Sequence, residues 1–283
     1  MAREVRPAAV AGVFYAAGRP ALCRQIAWCF DHPLGPGAAP ADLGRSSGIP
    51  RAVISPHAGY RYSGPVAAHA YQLLRQSSPP DVIVIVGPNH HSVGAPLALP
   101  GTPLWSTPLG VSAIDHTAAT ALLAACMAIE VDDSAHELEH SVEVQVPFLQ
   151  YVLGDNCRLL PIVMYEQDLA TCQELGRALA DVLRDRRAAI VASSDFTHYE
   201  THESAVRKDR WALRAIEELD AEGLVRGIER HGITMCGAGP VIVAIAASLA
   251  LGAKRGRTLR YATSGDVSGD YDRVVGYAAL VLE

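Results

Sequence analysis

Two hydrophobic patterns alternate along most of the chain. Runs rich in apolar and β-branched residues predict strands at 52–55, 82–86, 158–164, 189–193, 258–263 and 274–282. Between them, apolar residues at helical spacing predict helices at 65–74, 117–128, 168–184 and 203–219. Buried strands separated by helices are typical of a largely parallel sheet that is covered on both faces. We therefore expect one α/β domain spanning residues 1–283, with a largely parallel or mixed central sheet and helices on both faces.

Two segments depart from this pattern. Residues 31–50 are rich in Gly, Pro, Ala and Ser, which predicts a surface loop between an N-terminal helix and the first sheet strand. The apolar stretch 238–253 contains Gly239, Pro240 and Gly252 and is too short to cross a bilayer, so we expect a buried helix. Residues 1–20 lack the apolar run of a signal peptide, and the six cysteines form no CxxC pair. These features predict a cytoplasmic protein with reduced thiols.

Composition and missing motifs argue against several classes of function. The 24 basic and 30 acidic residues give a net charge of −6, without a basic run, which is untypical of a nucleic-acid or anionic-membrane binder. The chain has no phosphate loop, no GxGxxG after a strand, no GxSxG and no HExxH. Nucleotide enzymes, serine hydrolases of the usual α/β type and zincins are therefore poorly supported.

Histidines follow three of the predicted strands. His57 comes after the first strand, His90 and His91 come after the second, and Asp195 and His198 come after a later one. In open α/β sheets the functional groups gather just past the carboxyl ends of the strands. We therefore expect these residues to share one edge of the sheet, which favours a binding site over unrelated surface histidines.

Two further candidates have competing interpretations. Cys236 precedes a helix that Pro240 would begin, so the helix dipole would favour a thiolate nucleophile or metal ligand; a small buried hydrophobe is an equally weighted alternative. His140 and Glu143 stand three residues apart on a predicted helix. They could support a metal ligand or transfer a proton, although the spacing favours an ordinary surface pair. The remaining histidines are expected to be core or surface residues (His69) or solvated (His32, His116, His136, His202 and His231).

Taken in order, the motifs resemble those of the Memo family, whose bacterial and archaeal members are called AmmeMemoRadiSam system protein B. The matching motifs are PHAGY at 56–60, GPNHH at 87–91, EHSVE at 139–143, SSDFTH at 193–198 and CG at 236–237. Each is weak alone, but five in order at compatible spacing are specific. The resemblance runs nearly from end to end of the chain.

The resemblance implies a fold, a metal and partners. Memo proteins are similar in fold to class III extradiol ring-cleaving dioxygenases, the LigB-like fold, which are non-haem iron enzymes. The implied metal ligands are His57, His90 and Cys236. The implied catalytic residues are His198, as the acid–base residue, and Asp195, which would orient it. The expected substrate-pocket residues are Tyr60, His91, His140 and Glu143. AMMECR1-like and radical-SAM proteins are the implied partners, with no nucleic-acid or membrane partner.

One departure from the dioxygenases affects the expected chemistry. They complete the metal site with a carboxylate, whereas the matching ligand here is Cys236, a softer donor that suits iron, copper or zinc. The resemblance to the dioxygenases therefore implies metal binding for this chain, but it does not imply ring cleavage. The leading hypothesis is an iron- or copper-dependent redox enzyme acting on a small organic substrate. The alternatives are a non-catalytic metal-binding or interaction protein that reuses a dioxygenase fold and a zinc-dependent hydrolase.

Overall fold

The computed structural model describes residues 4–37, 48–154 and 157–283. In chain order its strands are β1 (Val5–Arg6), β2 (Ala52–Ser55), β3 (Val82–Pro88), β4 (Leu97–Leu99), β5 (Leu104–Thr107), β6 (Gly110–Ala113), β7 (Ile129–Val131), β8 (Arg158–Met164), β9 (Ala188–Ser193), β10 (His198–Glu200), β11 (Gly256–Thr263) and β12 (Val274–Leu282). Its helices are α1 (Arg19–Asp31), α2 (Tyr60–Gln76), α3 (His116–Ala125), α4 (Gln145–Leu153), α5 (Leu169–Leu183), α6 (His202–Glu217), α7 (Ala221–His231), α8 (Ala238–Ala250) and α9 (Gly265–Ser268). A 3-10 turn covers Asp133–Ala135.

A mixed sheet runs through the described residues in the order β10-β12-β2-β9-β3-β8-β4-β7, with β11 beside β12. Its centre, β2-β9-β3-β8, is parallel. The strands β4 and β12 join this centre antiparallel to their neighbours. A smaller sheet, β1-β5-β6, ties the N-terminal segment to the hairpin of β5 and β6. The sequence-based expectation of an α/β fold with a mixed sheet is confirmed.

Apolar side chains cover both faces of the central sheet. In β3, Val84 and Val86 point into one core cluster, while Ile83 and Ile85 point into the other. The first cluster includes residues of α3, α5, α6, α7 and α8, and the second includes residues of α1, α2 and α4. Because successive strand residues face opposite sides, a strand buried on both sides reads as a continuous apolar run. For this reason the sequence pattern predicts the central strands.

The predicted elements differ from the structure mainly outside the parallel centre of the sheet. Strands β2, β8 and β12 have the predicted bounds, whereas α2 begins at Tyr60, five residues before the expected start at 65. The short strands β1, β4 to β7 and β10 and the helices α7 and α9 were not predicted. Of the expected surface loop at 31–50, residues 38–47 lie outside the described residues; 32–37 and 48–50 contain no strand or helix. None of the helices in the described ranges has the length and hydropathy of a membrane span.

His136 is buried, which corrects the expectation that it is solvated. It is 1% exposed, and its Nε2 hydrogen-bonds to the carbonyl of Ala98 (3.1 Å). Arg6 donates from Nε to the His136 carbonyl at 2.8 Å, so the turn that carries His136 packs against the N-terminal segment. The ring stands edge-on to Trp105, with 5.5 Å between centroids. Polar neighbours in the sequence did not indicate this apolar location.

The buried His136 predicts a loss of stability in acid. Burial, with the charge of Arg6, lowers its pKa from 6.5 to about 3. Between these values the unfolded chain binds a proton that the folded chain does not, so the free energy of unfolding falls as the pH drops. One such proton is worth about 1.4 kcal/mol per pH unit. We expect His136→Gln to flatten the slope by about this amount in urea unfolding followed by circular dichroism.

The control is His116→Gln, a substitution of the same kind at an exposed position at the start of α3. It should leave the wild-type slope in place, because no buried ring is replaced. Equal slopes for the wild type and His136→Gln between pH 6 and pH 4 would contradict the assignment.

Candidate metal centre

The carboxyl ends of β2, β3 and β9 bring together groups that are far apart in sequence. His57 lies just past β2, His90 just past β3, and Cys236 in the turn before α8. One potential ligand atom from each lies within 4.8 Å of those of the other two. The ring centroids of His57 and His90 are 5.2 Å apart. Three donor atoms so close together could hold a single metal ion.

The turn carrying Cys236 is pressed against the end of β9. A side chain at Gly237 would overlap the carbonyl oxygen of Ser193, so this approach requires glycine. The Gly237 N–H donates to Ser194 Oγ (3.1 Å), and the Asp195 N–H donates to Cys236 Sγ (3.3 Å). From the β8–α5 connection, Gln167 Nε2 donates to the Cys236 carbonyl (3.1 Å). The thiol is therefore positioned by backbone contacts on both sides.

His90 is backed by a buried carboxylate, Glu139. The His90 N–H donates to Glu139 Oε2 (2.5 Å), and His90 Nδ1 lies 2.9 Å from Oε1. The Ser141 N–H also donates to Oε1 (2.8 Å). Burial alone would raise the pKa of Glu139, but the contacts with His90, Ser141 and His140 hold it well below its ordinary value. An ionised carboxylate at Nδ1 makes that nitrogen the donor and leaves Nε2 of His90 as the ligand atom.

His57 is fully enclosed and has three polar partners. Its N–H donates to Asp195 Oδ1 (2.8 Å), its Nδ1 lies 2.9 Å from Ser193 Oγ, and its Nε2 lies 3.1 Å from Cys236 Sγ. Burial lowers the pKa of His57 well below its ordinary value, and the nearby His140 and His90 act in the same direction. The ring is therefore neutral near pH 7, as a metal ligand must be.

The surroundings of Cys236 favour the thiol, contrary to the expectation that the helix dipole stabilises a thiolate. Burial raises the pKa of Cys236, and the carboxylate of Asp195 raises it further. The dipole of α8 does not overcome these effects, since Cys236 precedes the first helical residue by two positions. A bound metal ion would supply the charge that deprotonates the thiol.

His198 is held by Thr234, which corrects the expectation that Asp195 orients it. The His198 N–H donates to Thr234 Oγ1 (2.7 Å), and His198 Nδ1 lies 2.8 Å from the Thr234 carbonyl. Because a carbonyl only accepts, Nδ1 carries the proton and Nε2 has the free lone pair. The carboxylate of Asp195 accepts the N–H of His57 instead, and burial raises its pKa. Asp195 therefore contacts the loop of a proposed ligand.

Two expected pocket residues have other partners. Tyr60 is 2% exposed and belongs to the apolar core beside Phe148, and its hydroxyl donates to the Val144 carbonyl at 2.6 Å. His91 is exposed, with Nε2 3.2 Å from the Leu138 carbonyl. The assignment of Tyr60 to a substrate pocket is wrong, because a side chain packed in the core cannot line an open cavity.

His140 lies against the metal-ligand candidates, although not on a helix. His140 lies in irregular structure and residues 141–144 form a turn that precedes α4, so the expectation that His140 and Glu143 share a helix is wrong. The His140 ring stacks on that of His90 (4.4 Å between centroids) and contacts Phe14 (4.5 Å). Burial lowers the pKa of His140 to about 4. With His90 and Glu139 it forms a second group of potential ligand atoms within 4.8 Å of one another.

Glu143 binds the N-terminal segment and does not face a pocket. Arg6 donates to Glu143 Oε2 (2.7 Å), the Tyr15 hydroxyl donates to Oε1 (2.6 Å), and the N–H groups of Ala9 and Val10 donate to the two oxygens (2.8 and 3.0 Å). The side chain is 1% exposed. Its expected pocket role is therefore wrong, because four donors already surround its carboxylate.

The donor set fits a transition metal. Bonds of about 2.0–2.1 Å to nitrogen and 2.3 Å to sulfur place ligands of one ion roughly 3–4 Å apart. His57 Nε2 and Cys236 Sγ already meet this requirement, at 3.1 Å. The other ring nitrogens of His57 and His90 are hydrogen-bonded to Ser193 and Glu139, the arrangement typical of metal-bound imidazoles.

Comparison with known proteins identifies the family. The model of the Memo-like protein family matches residues 6–281. The chain belongs to the Memo family. A MEMO1 family protein of Methanopyrus kandleri is 49% identical over 98% of each chain, and one of Pyrobaculum aerophilum is 47% identical over 99% of each chain. The family resemblance noted from the motifs is confirmed.

The fold of this Memo-family chain also resembles a solved structure. An uncharacterized protein of Escherichia coli K12 superposes with a TM-score of 0.53 at 15% identity, covering 83% of this chain and 100% of that one. At this identity the likeness shows the fold alone. It agrees with the α/β architecture expected from sequence.

Sequence reasoning missed two residues that contact the metal-ligand candidates. Glu139 and Ser193 both stand in the Memo motifs, but nothing in their spacing distinguished them from their neighbours. Glu139 contacts His90, and Ser193 contacts His57. The two residues of each pair are far apart in the sequence and come together only when the sheet has formed. A search for a buried carboxylate or hydroxyl near each histidine needs the tertiary structure.

The four-donor environment of Glu143 predicts a structural role. Glu143→Gln removes the charge opposite the buried guanidinium of Arg6 and should lower the free energy of unfolding by about 3 kcal/mol in urea. The matched control is Glu222→Gln, since Glu222 pairs with Arg226 in solvent and should contribute less than about 0.5 kcal/mol. A Glu143→Gln protein as stable as the wild type would contradict this role.

Proposed function

We propose that this Memo-family protein is a metal-dependent redox enzyme of the non-haem type, with iron as the preferred metal and copper next. The proposal is carried by one observation: ligand atoms of His57, His90 and Cys236 lie within 4.8 Å of one another. Two imidazoles and one thiolate favour iron, copper or zinc over an oxygen-preferring cation. Three protein ligands leave coordination positions for a small organic substrate and oxygen.

The residues at this site would have two kinds of role, metal ligand and support of a ligand. His57, His90 and Cys236 would hold the ion, and Glu139 would keep His90 oriented through its Nδ1. The ion would supply redox chemistry and bind substrate oxygens. Asp195 would fix the loop of His57 by accepting its N–H.

His198 is the proposed acid–base residue. Its Nδ1 is committed to the Thr234 carbonyl, so Nε2 is the nitrogen that could take up or release a proton. Its side chain is half-buried, whereas that of His57 is enclosed. A histidine with access to solvent can exchange protons during turnover, and such a group typically contributes about 10² to 10⁴ in rate.

Metal content tests the ligand assignment. His57→Ala and Cys236→Ser should each lower the affinity for Fe(II) or Cu(I) at least about tenfold, because each removes one of three coordinate bonds. The control is His69→Ala, whose ring nitrogen lies 3.0 Å from the Leu34 carbonyl, away from the site. Metal bound under metal-limited conditions is measured by mass spectrometry on anaerobically purified protein. Wild-type metal content in both ligand variants would defeat the assignment.

Oxygen uptake tests the redox function. His198→Ala should keep most of its metal and lose about 10²-fold or more of metal-dependent oxygen uptake across a panel of phenolic and indolic compounds. His231→Ala is the control, since its ring stacks on Trp211 on α6 and has no proposed role. Unchanged uptake in His198→Ala would remove the acid–base role.

The same assay distinguishes the alternatives. The implied AMMECR1-like and radical-SAM partner proteins are added in a second arm. A metal-loaded wild type that consumes no oxygen in either arm would favour a non-catalytic metal-binding protein. Hydrolysis that persists when zinc replaces iron would favour a metal-activated water.

A further inference from the structure

Ser193 is the last residue of β9 and lies at the centre of a closed hydrogen-bond network. It is fully buried, and its Oγ has three close neighbours: the Ser141 carbonyl at 2.6 Å, Gln145 Nε2 at 2.7 Å and His57 Nδ1 at 2.9 Å. A hydroxyl has one proton to donate and two lone pairs to accept with. Three partners therefore use its full capacity.

The identities of the partners determine where each proton lies. The Ser141 carbonyl can only accept, so it takes the hydroxyl proton of Ser193. The amide of Gln145 has one orientation that satisfies its surroundings, since Tyr71 donates its hydroxyl proton to Oε1 and Nε2 faces the Pro56 carbonyl at 3.1 Å. Nε2 of Gln145 is therefore a donor to Ser193 as well.

One lone pair of Ser193 then remains, and it faces His57. For that contact to be a hydrogen bond, His57 Nδ1 must carry the proton. In the neutral ring Nε2 is then unprotonated, and it is this nitrogen that lies 3.1 Å from Cys236 Sγ. The network selects one of two tautomers, and the selected one directs a lone pair toward the other ligand candidates.

We propose that Ser193, held in place by Ser141 and Gln145, is a positioning residue that keeps His57 in its Nδ1–H tautomer and so presents Nε2 to the metal. The inference rests on the proposed metal site. It separates the two histidines chemically: His90 is backed by the Glu139 carboxylate and His57 by a neutral hydroxyl. A carboxylate raises the basicity of its imidazole more than a hydroxyl does, so His57 is the weaker donor of the pair.

The tautomer is measured without metal, oxygen or substrate. Protein labelled with 15N-histidine is examined at pH 7.5 by long-range proton–nitrogen correlation, with His57→Gln used to assign the ring. In the wild type we expect His57 Nδ1 to be protonated and Nε2 unprotonated. The reverse pattern in the wild type would overturn the proposal whatever the protein's activity.

Variants then connect the tautomer to metal binding. Ser193→Ala should shift His57 toward the other tautomer and weaken cobalt(II) binding by about 10- to 100-fold, followed by the thiolate charge-transfer absorption. Ser193→Thr keeps the hydroxyl and should restore both properties. The matched control is Ser248→Ala, because Ser248 is also fully buried but its hydroxyl has no hydrogen-bond partner among the described residues.

The outcomes separate this proposal from the redox function. Ser193→Ala with wild-type cobalt affinity and an unchanged tautomer would overturn the positioning role. A wild type that binds cobalt through the Nε2 of His57 but consumes no oxygen would overturn the redox function and support the positioning role. If Ser193→Ala does not fold, Ser193→Thr and the wild-type tautomer still decide the question.

Discussion

Parallel pairing of β2, β9 and β3 is the constraint on which the rest of the structure depends. Ser55 in β2 pairs with Ser193 in β9, and Val86 in β3 pairs with Ala192, so the three strands end nearly level with one another. Their sides are covered by apolar clusters, and polar side chains gather at the last strand residues and just beyond them. The segments that leave these ends must therefore share a small volume. The metal-ligand candidates and their hydrogen-bond partners lie there.

Confinement in that volume determines the electrostatics of the site. A buried polar group without a partner costs about 1–3 kcal/mol, so each group recruits donors or acceptors from neighbouring segments. Glu139 remains ionised because His90 and Ser141 donate to it, whereas burial and the carboxylate of Asp195 raise the pKa of Cys236 and favour its thiol. The site therefore combines a thiol with an ionised carboxylate behind His90.

The N-terminal segment is tied to the same region through a different group. The carboxylate of Glu143 gathers Arg6, Tyr15 and two backbone N–H groups, and Arg6 also lies over the Trp105 ring at 4.3 Å. The segment that follows brings Phe14 against His140. Within residues 139–144, Glu139 therefore contacts the metal-ligand candidate His90, while Glu143 contacts the N-terminal segment. A helix could not have placed both carboxylates in this way, since residues four apart lie on one face.

The sequence by itself determined the α/β class, the central strands and the family. Continuous apolar runs identify strands buried on both faces, and β8 and β12 have the bounds predicted from them. The strand-end rule also indicated that His57, His90 and Asp195 share one edge of the sheet. Only the tertiary structure decided the partners of these groups: Thr234 for His198, Glu139 for His90, Ser193 for His57 and the N-terminal segment for Glu143. Periodicity reports which side of an element is buried, but a hydrogen bond between residues far apart in the chain depends on how loops close over the sheet edge, and no local pattern encodes that.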